Sequence, residues 1–149
     1  MLGVDIRMST VGIVGFGGIG QTIAKRLYGF DVGQFLYCGH SKKPEADKFG
    51  AKYVSFDELV RESDFIFIVC PLTSETKNMF NAEVFSKMKR SSVLVNVARG
   101  PIVDQEALVH ALKSNQIFAA GIDVMTPEPL PSDDPLMNLP NCGKYFEIY

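Results

Sequence analysis

Thr10-Val11-Gly12-Ile13-Val14-Gly15-Phe16-Gly17-Gly18-Ile19-Gly20 is the stretch that decides the fold. An apolar β-type run, Thr10–Val14, enters a loop with glycines at G-x-G-x-x-G spacing, and an amphipathic helix leaves it. In a dinucleotide-binding turn each glycine has a physical task. Gly15 lets the chain reverse tightly, Gly17 removes a Cβ where a pyrophosphate approaches the backbone, and Gly20 lets the helix pack closely on the strand. The first amides of that helix, with its dipole, then face the negative charge. Glycine turns also arise for structural reasons alone. The strand before this one and the helix after it favour the nucleotide reading.

Working outward, the helix after the turn places Ile19, Ile23 and Leu27, with Ala24, on one face, and Gly29 suits its C-terminal cap. A second strand follows at Gln34–Cys38, then a short helix Pro44–Phe49 and a brief strand Lys52–Val54. Ser55 caps a helix over Phe56–Arg61, with Glu58 completing a capping box. Asp64–Cys70 is apolar without alternation, as a strand buried on both faces of a parallel sheet requires. Asn81–Met88 reads as a helix and Ser92–Val97 as a strand. Asp104 caps a helix through Lys113, and Ile117–Asp123 reads as the last strand. This alternation implies an α/β fold, a doubly wound parallel sheet of the Rossmann NAD(P)-binding type. Residues 1–9 read as a leader remnant, 10–142 as the nucleotide-binding domain and 143–149 as a divergent aromatic tail. The prolines from Pro127 to Pro140 mark an extended loop.

The 149 residues, 46% hydrophobic and 21% charged, suit one globular domain. A net charge of −2 gives no basic field for nucleic acid or an anionic membrane surface. Cys38, Cys70 and Cys142 lack metal-ligand or redox-pair spacing and read as thiols in a reducing compartment, so no metal site is expected. With no apolar run of membrane-spanning length and no signal peptide, the expected location is cytoplasmic.

Three further stretches reach the carboxyl ends of the strands, where an open α/β sheet binds its ligands. After the second strand comes His40-Ser41-Lys42-Lys43, with no acid before Glu45 to bond a ribose 2′-hydroxyl. A 2′-phosphate would find a hydroxyl and up to three cations there, which favours NADP(H) over NAD(H); the alternative is a solvated lysine turn. Arg99, after the Ser92–Val97 strand, offers a planar fork for a carboxylate or is a surface arginine. Asp123 ends the Ile117–Asp123 strand, and Glu128 stands between Pro127 and Pro129. Glu128 either orients a catalytic imidazole or is an exposed loop residue. His110 reads as a surface or packing residue.

Val11–Gly20, Asn96-Val97-Ala98-Arg99-Gly100 and Gly121-Ile122-Asp123-Val124 through Pro127-Glu128-Pro129 together resemble the D-isomer-specific 2-hydroxyacid dehydrogenases. Within that family the likeness points to the glyoxylate and hydroxypyruvate reductases. The resemblance implies hydride transfer from NADPH to these small 2-oxo acids, giving glycolate and D-glycerate, in proteins that are usually homodimers. It implies that Gly17, Gly18 and Ile19 line the pyrophosphate and that His40 to Lys43 surround the ribose phosphate. Pro71 and Val97 would flank the cofactor, and Asp123 would bond the nicotinamide carboxamide. Arg99 would bind the substrate carboxylate and keto oxygen, and Glu128 would pair with a proton-donating histidine. By count Glu147 falls where the family has that histidine, and a carboxyl of ordinary pKa is ionised at neutral pH. The resemblance also implies a substrate domain, which this sequence is expected essentially to lack. The sequence therefore leads us to expect a truncated, severely impaired reductase. The alternatives are a non-catalytic NADP(H)-binding or interaction module, or an incomplete product that folds poorly.

Overall fold

The computed structural model describes residues 4–144. The chain runs β1 (Thr10–Val14), α1 (Gly18–Leu27), β2 (Gln34–Cys38), β3 (Lys52–Tyr53), α2 (Phe56–Glu62), β4 (Phe65–Ile68), α3 (Ala82–Lys87), β5 (Val93–Asn96), α4 (Gln105–Lys113), β6 (Ala119–Ile122) and β7 (Cys142–Lys144). All strand pairs are parallel, in the order β3-β2-β1-β4-β5-β6-β7. The order reverses between β1 and β4, which is the switch point of a doubly wound sheet.

Strand alternation sends side chains to two cores. Val11, Ile13, Phe35 and Tyr37 join Ala24 of α1 on one face. Val14, Leu36, Ile66, Ile68 and Leu94 join Leu59, Phe85 and Leu108, from α2, α3 and α4, on the other. Right-handed crossovers require this division: α1 leads toward β2, whereas the later helices lead the opposite way along the sheet. The α1 face is the thinner one. Phe65 and Phe67 on β4 are half-buried, so this strand is fully covered on one face only.

Three helices carry the side-chain caps their sequences offer. Ser55 Oγ accepts from Glu58 N at 3.1 Å, Asn81 Oδ1 from Val84 N at 3.1 Å, and Asp104 Oδ1 from Ala107 N at 3.1 Å. Each satisfies one otherwise orphaned amide. The Glu58 side chain makes no return bond among the described residues, so the box is half formed. Asp64 ties the starts of three strands together: its carboxylate accepts from Thr10 N at 2.9 Å and pairs with Lys89 at 2.9 Å, ahead of β5.

Several expectations need correction. Gly29 does not cap α1, because the helix passes into a 3₁₀ turn, Tyr28–Phe30, and Asp31 takes the left-handed conformation, φ 54°. Ile19 is 60% exposed, since the first turn of α1 overhangs the end of β1 instead of lying on the sheet. Pro44–Phe49 is 3₁₀ helix. The Ile117–Asp123 strand is shorter and is not the last, because β7 pairs with β6 at Ala120↔Cys142. The proline-rich loop contains a 3₁₀ turn, Pro135–Asn138, capped by Asp134 Oδ1 on Leu136 N at 2.8 Å. Residues 145–149, including Glu147, lie outside the described residues.

Candidate functional site

Beyond the carboxyl ends of β1, β2 and β4 lies a cleft of about 460 Å³. Its walls include Gly15, Gly17, His40, Ser41, Lys43 and Pro71. The glycine turn and the loop after β2 therefore face one space, at the switch point. Lys42 is exposed beside this loop but outside the cleft wall, and Glu75 enters from the β4 side.

The turn has the shape its glycines predict. Gly15 has φ +96°, a region costly to any residue with a Cβ, and its amide donates to Cys38 O at 2.9 Å. A Cβ there would stand 2.9 Å from the Cys70 amide nitrogen, so the turn is wedged between β2 and the segment after β4. A Cβ on Gly20 would overlap the carbonyl oxygen of Gly15 and reach Ile13 Cγ2 at 3.1 Å. A Cβ on Gly17 or Gly18 would meet nothing within 4 Å. Those positions do not need glycine for packing. Unlike the other three helices, α1 has no side-chain cap and no acid in its first turn, so its positive end is left open. An anionic group fits that cradle.

Two thiols flank the turn. Cys38 is buried, and burial pushes its pKa up to about 12, with the neighbouring Cys70 adding to the shift and the Gly15 amide opposing it. Burial raises Cys70 as well. A free thiol titrates near about 8.5, so Cys38 stays protonated in the fold while it ionises in the unfolded chain. Its contribution to stability is complete below about pH 8.5 and is lost as pH rises toward 12. We expect iodoacetamide at pH 8 to leave Cys38 unlabelled in the native chain and to label it in urea, as read by peptide mass spectrometry. Equal labelling in both states would show that the β2 end opens freely.

The second group of candidates lies after β5 and β6. Asn96, 1% exposed, organises the turn that presents Arg99. Its Oδ1 accepts from Ala98 N at 3.1 Å, and its Nδ2 donates to Arg99 O at 3.1 Å. The Arg99 guanidinium donates to Ala98 O at 2.6 Å and is exposed beyond it. Val97 is 37% exposed and Asp123 is exposed, its amide donating to Asn96 O at 3.0 Å. Gly100 is buried against Met125, where a Cβ would overlap the Met125 carbonyl. Glu128 follows this contact, exposed and without a hydrogen bond among the described residues. Arg99, Val97, Asp123 and Glu128 are thus brought to one end of the sheet but do not line the nucleotide cleft. His110 is exposed on α4. Asn96 and Gln105 are the positioning residues that sequence reasoning missed. Gln105 accepts from Thr126 N at 3.1 Å and donates to Asp134 at 3.0 Å. The available signal for Asn96 was a polar residue closing the apolar run Val93–Val95, two places before Ala98-Arg99-Gly100.

Residues 1–143 match the family model described as "D-isomer specific 2-hydroxyacid dehydrogenase, NAD binding domain". The mouse glyoxylate reductase/hydroxypyruvate reductase is 50% identical over 143 residues, 95% of this chain and 44% of that protein. The crystal structure of a Thermus thermophilus protein superposes with a TM-score of 0.90 at 43% identity, covering 96% of this chain and 44% of the other. The NAD-dependent formate dehydrogenase of Staphylococcus aureus, solved in complex with NAD, superposes at 0.87 with 41% identity, covering 97% and 43%. The chain spans less than half the length of the relatives it matches. Among the described residues, no helix is long and apolar enough to cross a membrane.

Proposed function

This chain belongs to the D-isomer specific 2-hydroxyacid dehydrogenase family through its NAD-binding domain, and on that premise we propose that it binds NADP(H) in preference to NAD(H) as the nucleotide half of a glyoxylate and hydroxypyruvate reductase. The observation that carries the reading is the cleft in which the uncapped start of α1 converges with His40, Ser41 and Lys43, with no carboxylate following β2 before Glu45. In this reading the amides of Gly17, Gly18 and Ile19 hold the pyrophosphate, with Gly15 and Gly20 shaping the turn. His40, Ser41 and Lys43 receive the 2′-phosphate, and Lys42 adds charge from the rim. Pro71 and Val97 bracket the nicotinamide end, where Asp123 accepts from the carboxamide. The bound nucleotide supplies the hydride. Arg99 grips the carboxylate of a 2-oxo acid and stabilises charge on its oxygen, and Glu128 orients the proton donor.

Calorimetric titration of the purified chain tests this. A charge-assisted phosphate contact corresponds to at least about tenfold tighter NADPH than NADH. Tighter NADH binding overturns the cofactor assignment, and binding of neither overturns the site. A second reading, a nucleotide-binding module without turnover, is favoured by one observation: among the described residues Glu128 makes no hydrogen bond to His40 or His110. Glyoxylate-dependent NADPH oxidation by the same sample decides between them.

A further inference from the structure

The loop on which nucleotide choice depends is held from beneath by two tyrosines. Tyr37 on β2 and Tyr53 on β3 are register partners, with ring centroids 5.3 Å apart. The Tyr37 hydroxyl, fully buried, accepts from Lys43 N at 2.8 Å and donates to Lys43 O at 3.4 Å. The Tyr53 hydroxyl donates to Gly39 O at 2.8 Å and is exposed enough to line the cleft. Both ends of Gly39–Lys43 are therefore pinned. The side chains of His40, Ser41 and Lys42 between them make no hydrogen bonds among the described residues. The Tyr37 ring also packs against Phe16 of the glycine turn, centroids 4.5 Å apart, and Phe16 meets Phe49 beyond the loop at 6.5 Å. One aromatic stack thus braces both segments that face the cleft.

We propose that Tyr37 and Tyr53 are positioning residues for nucleotide selectivity, their hydroxyls holding Gly39–Lys43 as a preformed cradle for a 2′-phosphate. The inference rests on the NADP(H) reading above. A loop already in its bound shape does not lose conformational freedom on binding, so its polar groups contribute more of their contact energy to affinity. These hydroxyls act on the loop and not on the turn. Their removal must then weaken ligands that reach the loop and spare those that reach only the turn and adenosine pocket.

The test compares 2′,5′-ADP, which carries the 2′-phosphate, with 5′-AMP, which lacks it. Both are titrated into the full chain and into Tyr37→Phe and Tyr53→Phe. The wild type is expected to prefer 2′,5′-ADP, and each variant to lose about fivefold in that affinity while 5′-AMP stays within about twofold, the effect of one lost hydrogen bond. Equal losses for both ligands, or no loss for either, overturn the inference, because a purely structural hydroxyl does not discriminate. A wild type without preference overturns the cofactor reading and this inference with it, and does so before any variant is made. Should Tyr37→Phe fail to fold, Tyr53→Phe, at a 42% exposed residue, decides alone. Apo-state melting curves establish the fold of each variant.

Discussion

Gly17→Asp is expected to stabilise the fold while weakening NADPH binding by at least about a hundredfold, opposite signs from one substitution. Gly17 is the N-cap of α1 with φ −82° and ψ −161°, an extended conformation open to any residue, and a Cβ there meets nothing within 4 Å. An aspartate would accept an orphaned first-turn amide, complement the helix dipole and reduce the freedom of the unfolded chain. Together these stabilise by about 1 kcal/mol, a rise of roughly 2–4 °C in Tm. The same carboxylate would occupy the cradle assigned to the pyrophosphate. Like charges about 4 Å apart in a partly screened site repel by about 4 kcal/mol, more than a hundredfold in affinity. Thermal melts and calorimetry with NADPH check both signs. Unchanged affinity would mean that the pyrophosphate does not lie against Gly17.

The contrast among the glycines shows what the sequence made legible. G-x-G-x-x-G between a strand and a helix carried the turn, since the tasks of Gly15 and Gly20 follow from local geometry: one needs a positive φ, the other a close approach to β1. Helix starts at Ser55 and Asp104 were legible for the same reason, a side chain reaching an amide three residues on. Strand β7 was not legible. Cys142-Gly143-Lys144 has no β pattern of its own and becomes a strand through pairing with β6, helped by two distant anchors. Asn141 Nδ2 donates to Leu112 O at 3.1 Å and Phe118 O at 3.3 Å, and Lys144 Nζ donates to Leu136 O at 2.6 Å and Met137 O at 3.0 Å. Ile19 misled because apolar periodicity does not reveal where a helix overhangs its sheet. The cationic loop after β2 was visible as composition, yet the hydroxyls that pin it come from β2 and β3, joined only by the fold.

Gly100→Ala is expected to cost about 3 kcal/mol, a fall of roughly 6–12 °C in Tm, and to loosen the loop that carries Glu128. A Cβ on Gly100 would overlap the carbonyl carbon and oxygen of Met125 and stand 2.6 Å from Thr126 Oγ1. Most of what it meets is backbone, and neither side yields easily. The Arg99 turn is held by both ends of the buried Asn96 amide, and Asp123 N is fixed to Asn96 O at 3.0 Å. Across the contact, Gln105 holds Thr126 N at 3.1 Å. The methyl group must therefore part the two loops or break one of these bonds. Either outcome moves Glu128, proposed to orient the proton donor, relative to Arg99, proposed to hold the substrate. The nucleotide cleft at β1, β2 and β4 shares none of these contacts, so affinity for 2′,5′-ADP, which lacks the nicotinamide end assigned to Val97 and Asp123, should stay within about threefold below the melting transition. Hydrogen exchange at Thr126 reads the loosening directly. An unchanged Tm with an unchanged Thr126 amide would show that the post-β6 loop slides over Gly100 freely, and the proposal that Arg99 and Glu128 serve one substrate site would lose the contact that supports it.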